Sequence, residues 1–121
     1  MGDDSLREII FYKTDSGKSP VEEFLDSLTG KQAQKAAWVL RLIEELDSVP
    51  IQYFKKLTGT DDIWEVRIQI GGDIIRLLGF FYGSGFVVLT NGFAKKTRKT
   101  PSREIGLAEN RKREYLSRSK Q

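Results

Sequence analysis

The chemistry open to this chain is narrowed at once by what it lacks, since its 121 residues include no cysteine and no histidine. Thiolate and imidazole nucleophiles, disulfides and the commonest metal ligands are excluded, which leaves Lys, Arg, Tyr, Asp and Glu for any catalysis. No metal or cofactor site is expected. Within that set the most pointed arrangement is a pair of arginines. Residues 63–70, IWEVRIQI, alternate so that Trp64, Val66, Ile68 and Ile70 share one strand face and Glu65, Arg67 and Gln69 the other. Gly71-Gly72 then suits a two-residue hairpin loop, which pairs Ile70 with Asp73 and sets Arg67 opposite Arg76. Like charges directly opposite are unfavourable in a sheet by about 0.2–1 kcal/mol unless something anionic sits between them. A phosphate would do this. The ordinary alternative is neutralisation by Glu65 or by an acidic loop. If nothing internal lies between the arginines, substituting either should relieve repulsion while abolishing function.

Other cations flank this hairpin. Lys55 and Lys56 precede it, and Lys95, Lys96, Arg98 and Lys99 follow it. Short connections would bring them to the polar sheet face, giving a cationic cleft floored by Arg67 and Arg76. A two-residue loop at Gly83-Ser84 places Asn91 beside Arg76, whereas a bulged three-residue loop shifts that register. Tyr53, Phe54, Phe93 and Tyr115 lie in or near the same segments and offer either base-stacking surfaces or core.

Positioning these residues requires a sheet with helices behind it. Residues 7–14 read as a first strand. Ser19-Pro20-Val21-Glu22 is a capping box opening a short helix with Val21, Phe24, Leu25 and Leu28 on one face. Thr29 can cap a second helix over residues 31–47, stopped by Pro50. After the strands at 63–70, 73–81 and 86–93, a final helix runs from Pro101 or Ser102 to Leu116. The expected order is β-α-α-β-β-β-α, an α+β domain whose antiparallel sheet of about four strands packs on an N-terminal α-hairpin and leaves its other face for work. At 121 residues, with 39% hydrophobic and 31% charged, one globular domain spanning 1–121 is expected, and collagen-like or fully disordered classes are excluded.

The net charge of +3 hides a gradient: residues 1–48 carry −4, residues 49–94 are neutral, and residues 95–121 carry +7. A basic block on an otherwise neutral domain points to a polyanionic partner, or else to a solvated tail. The acidic start MGDDSLREII has no secretory pattern, and the most apolar stretch, 63–90, is broken by Glu65, Arg67, Asp73 and Arg76. A cytoplasmic setting without membrane insertion is the expectation.

From Lys56-Leu57 through IWEVRI, IIRLLGFF and NGFAKKTRKTPSREIGLAENRKREY to Tyr115, with FYKTDSGKSPVEEFLDSL near the start, the chain resembles phage-derived HigB-type toxins of the RelE/ParE superfamily. The resemblance implies a small cytoplasmic toxin, paired with a helix-turn-helix antitoxin encoded nearby, that cuts mRNA on the ribosome without a metal. Such an enzyme uses the RNA 2′-OH as nucleophile, so the protein need only align it, neutralise charge and move protons. On this reading Arg67 and Arg76 grip the scissile phosphate, Lys56 with Lys95 or Lys96 transfers protons, and Tyr115 is an acid/base or stacking candidate. Glu65 is an alternative base. Lys55, Asn91, Phe93, Arg98 and Lys99 would contact RNA. Some members of the superfamily poison gyrase instead, so a non-catalytic inhibitor or a nucleic-acid-binding relic is the competing expectation.

Overall fold

A computed structural model describes residues 6–95 and 99–120. The alternating segment forms β3 (Trp64–Ile70), which turns through Gly71-Gly72 into β4 (Asp73–Tyr82). Gly71 has φ of 59°, the left-handed conformation that a tight hairpin needs and glycine adopts without steric cost. The register is as expected, with Ile70 opposite Asp73 and Arg67 opposite Arg76. The next hairpin follows the bulged alternative. Its loop is Gly83-Ser84-Gly85, with φ of 64° at Gly83, so Tyr82 pairs with Phe86 at the start of β5 (Phe86–Lys95). A bulge between Leu78 and Gly79 adds a further shift, and Thr90 is the extra residue on β5. Phe93 therefore stands beside Arg76, and Asn91 faces Leu78.

Two edge strands complete a five-stranded sheet of order β1-β5-β4-β3-β2. The sheet is mixed, since β1 (Glu8–Phe11) runs parallel to β5, and it gains a strand through β2 (Phe54–Lys56), antiparallel to β3. Three residues rich in lysine carry too little alternation to be read as a strand.

The helices form where their caps direct. Ser19 Oγ accepts from Glu22 N–H at 3.4 Å to start α1 (Pro20–Asp26), with Pro20 in the first turn. Thr29 and Gln32 form a reciprocal capping box at the start of α2 (Gly30–Glu45). Val21 of α1 and Ala36, Val39 and Ile43 of α2 bury against Val66, Ile68, Ile75, Leu77, Val87 and Leu89. The third helix, α3 (Ser102–Ser119), packs on the opposite face. There Ala108 and Ile105 meet Leu57, Ile63, Leu78 and Phe93, and Tyr115 and Leu116 meet Tyr12, Phe80 and Val88. The second face is thus not wholly open: α3 covers β4 and β5, and on the β2–β3 side Lys55 is exposed and Arg67 partly so while Glu65 is buried.

Tyr12 ties α3 to β1. Its hydroxyl donates to Glu114 Oε1 at 3.0 Å, and the guanidiniums of Arg111 and Arg118 lie 5.4 and 5.3 Å from its ring centre. Burial, followed by the hydrogen bond and charge of Glu114, raises the phenol pKa above its ordinary 10.0. The folded chain holds this proton more tightly than the unfolded chain, so the stabilisation is complete below pH 10 and is lost as pH rises through the folded value. Tyr12→Phe should cost about 0.5–1.5 kcal/mol at neutral pH, and the gap from wild type should narrow above pH 10 in denaturant melts.

Candidate anion-binding site

The site is built on the odd-numbered face of β3. Glu65 is buried, with 2% exposure, and its carboxylate lies between the two arginines: Oε1 is 3.4 Å from Arg67 Nε and Oε2 is 3.8 Å from Arg76 Nε. The Thr100 hydroxyl donates to Oε2 as well. An internal carboxylate therefore lies between the facing cations and offsets one of the two charges, so the ordinary alternative, Glu65, is present and the condition for expecting relief of repulsion is not met. The arginines also differ in access. Arg76 is fully buried beneath α3, while the Arg67 side chain keeps 27% exposure. Burial lowers the Arg76 pKa from its ordinary value, Glu65 opposes that shift, and Arg67 adds to it. Of the two, Arg67 is the arginine whose side chain meets solvent.

Arg67 opens onto a cleft of about 310 Å³ lined by Lys55, Leu57, Thr58, Glu65, Lys99, Thr100 and Ile105. Each wall has a reason to be there. Lys55 pairs with Glu65 across the β2–β3 ladder, which puts both side chains on one face. The 57–63 loop is fastened to α3 by Lys112 Nζ, which donates to the Asp61 carbonyl at 2.7 Å, and by Glu109 Oε2, which accepts from Asp61 N–H at 2.9 Å. Thr60 closes the same loop through Leu57 O and Ile63 N–H.

The remaining sequence candidates fall elsewhere. Lys56 is one residue out of phase with Lys55. It pairs with Trp64, and its ammonium bridges Asp62 at 2.7 Å, the hydrogen bond and charge of which hold the Asp62 carboxyl below the usual range. Asn91 is buried: its Nδ2 donates to Glu104 O at 3.2 Å and to Glu104 Oε1 at 3.0 Å, and its Oδ1 accepts from Thr90. It joins α3 to the sheet. Phe93 is core. Tyr115 packs edge-on to Phe80 and Tyr82, with ring centres 5.7 and 5.2 Å away, in the hydrophobic cluster at the far end of α3. Lys96, Arg98 and the side chain of Lys95 lie outside the described residues.

One participant was not singled out from sequence: Thr100 sits in the KTP string, where only the fold reveals its aim at Glu65. Lys55 was expected as an RNA contact, but its place beside Arg67 in preference to Lys56 follows only once β2 is known to be a strand. Among the described residues no three acidic side chains gather to hold a metal ion, and no helix is long and apolar enough to cross a membrane. What the arrangement offers an anion is one accessible guanidinium held in place by a buried carboxylate, with Lys55 and Lys99 beside it. Residues 23–113, about three quarters of the chain, match the family model described as phage derived protein Gp49-like (DUF891). No curated protein matches it.

Proposed function

The chain belongs to the phage-derived Gp49-like family, and from that premise we propose that it is the toxin of a type II toxin–antitoxin pair, a HigB-type member of the RelE/ParE superfamily that cleaves mRNA on the ribosome. The observation that carries this reading is the cleft in which Arg67, Lys55 and Lys99 converge. Cations gathered at one opening favour a phosphodiester, and Arg67 presents the fork that grips phosphate oxygens in bidentate fashion.

The reaction needs no metal. The RNA 2′-oxygen forms a bond to the neighbouring phosphorus as the bond from phosphorus to the 5′-oxygen breaks; a base removes the 2′ proton, and an acid returns one to the leaving oxygen. Arg67 holds the phosphate and meets the charge that builds on its oxygens. Arg76 is a positioning residue that fixes Glu65, and Glu65 in turn fixes Arg67. Proton transfer falls to the lysines at the mouth, Lys55 and Lys99. A helix-turn-helix antitoxin encoded nearby would silence the toxin by covering this cleft, acidic groups against basic.

One observation favours a second reading. Because Glu65 already bridges the arginine pair, the pair does not by itself demand a phosphate, and a binding protein without catalysis would carry the same triad. Induced expression with mapping of mRNA ends separates the two: breaks within translated codons support the nuclease, while intact mRNA with altered DNA supercoiling supports an inhibitor of gyrase. Binding to single-stranded RNA should weaken with salt at a log–log slope of about −0.7 per phosphate contact. Lys55→Ala should reduce that slope by about 0.7, and Lys56→Ala should leave it unchanged.

A further inference from the structure

Arg67 lines a second cleft on its other side, of about 240 Å³, together with Lys35, Gln52, Tyr53 and Gln69. The mechanism above makes no use of it. We infer that this second cleft is a nucleobase subsite, in which one unstacked base lies against Tyr53 while Arg67 holds the adjoining phosphate. The inference rests on the RNA reading and adds a place for a base beside its phosphate.

Four aromatic side chains flank the basic segments, and the fold separates them. Phe54 and Phe93 are buried in the hydrophobic clusters and Tyr115 belongs to the far end of α3, so Tyr53 alone of the four shares a cleft with Arg67. Its ring is braced edge-on by Trp38, with centres 5.5 Å apart, and Lys35 Nζ lies 4.8 Å from the Trp38 ring centre. A braced ring is a stacking platform that loses little freedom on binding. The backbone holds it in register: Tyr53 O accepts from Arg67 N–H at 2.8 Å, so platform and phosphate anchor move as one piece. The volume falls below the roughly 300–1,000 Å³ typical of drug-sized ligands, which suits one planar ring. Gln52 and Gln69 are both exposed and offer amide donors and acceptors to the base edge. Lys35 and Arg67 are the charged residues of the lining, and both are cationic.

The test compares two tetramers of equal charge, one of oligoadenylate and one with every base removed, binding to the full chain at low salt. Base stacking is worth roughly 5- to 150-fold per base, so the oligoadenylate should bind more tightly by a factor in that range. Tyr53→Leu, which keeps apolar volume, should erase the difference and leave abasic binding unchanged. Tyr53→Phe should preserve it, and thermal melts confirm that each variant is folded. Equal binding of both tetramers by the wild type overturns the subsite, as does an advantage that survives Tyr53→Leu. Arg67→Ala reports on the phosphate site separately, because it should weaken both tetramers alike. If abasic binding ignores Arg67, the phosphate reading fails and the subsite falls with it.

Discussion

Arg76→Met should lower Tm by about 10–20 °C. Removing one member of a buried ion pair leaves the other charge stranded in a low-dielectric interior, at a cost of roughly 3–5 kcal/mol. In a domain of this size each kcal/mol moves Tm by several degrees. Here the group that loses a partner is Glu65, buried at 2% exposure, for which the partly exposed Arg67 and the Thr100 hydroxyl remain. The double variant Arg76→Met with Glu65→Met should recover at least half of the loss, because apolar side chains of similar volume often replace a buried pair at little cost. Thermal unfolding of both variants decides it. An Arg76→Met protein that melts with the wild type would show that the Glu65 carboxylate does not depend on Arg76. Toxicity of the single variant should fall further than its folded population does, because Arg76 also fixes Glu65 and, through it, Arg67.

That outcome reverses what the bare hairpin register suggests, and the reason is instructive. The β3–β4 register was legible because Gly71-Gly72 allows a two-residue loop and the alternation of residues 64–70 tolerates no slip. Position along the strand does not reveal depth, however. Arg67 and Arg76 sit on one face, directly opposite, yet α3 passes over β4 and not over the outer half of β3, so one guanidinium is buried and the other reaches solvent. Coverage by a helix that lies more than 25 residues later in the chain is a tertiary fact.

The same limit explains the lysines. Which of Lys55 and Lys56 joins the site depends on strand parity, and parity has no meaning until the three-residue edge strand is placed. It explains Asn91 too, since a three-residue loop and the Thr90 bulge together slide it from Arg76 to Leu78. The parallel pairing of β1 with β5 was hidden for a related reason: a four-residue apolar strand does not declare its neighbour. Helix starts, by contrast, were legible from Ser19-Pro20 and Thr29, because capping is local chemistry between a side chain and the next turn of backbone.

Arg67→Ala should leave the fold intact and abolish toxicity. With 27% of its side chain exposed and its partner Glu65 still held by Arg76 and Thr100, removal of this arginine should change stability by no more than about 1 kcal/mol. Its loss from the cleft removes the guanidinium of the pair that meets solvent. Deleting a preorganised donor of this type typically costs about 2.7–4 kcal/mol, or about 10²–10³ in rate, which is enough to turn growth arrest into tolerance. Lys18→Ala removes the same charge from an exposed loop far along the sequence and controls for net charge alone. The measurement pairs thermal unfolding with growth after induction. Arg67→Lys sharpens it: lysine keeps the charge but loses the planar fork, so toxicity should recover only in part if bidentate grip matters. A folded Arg67→Ala protein that arrests growth as the wild type does would remove Arg67 from the chemistry, and with it the geometric reason for reading this cleft as a phosphodiester site.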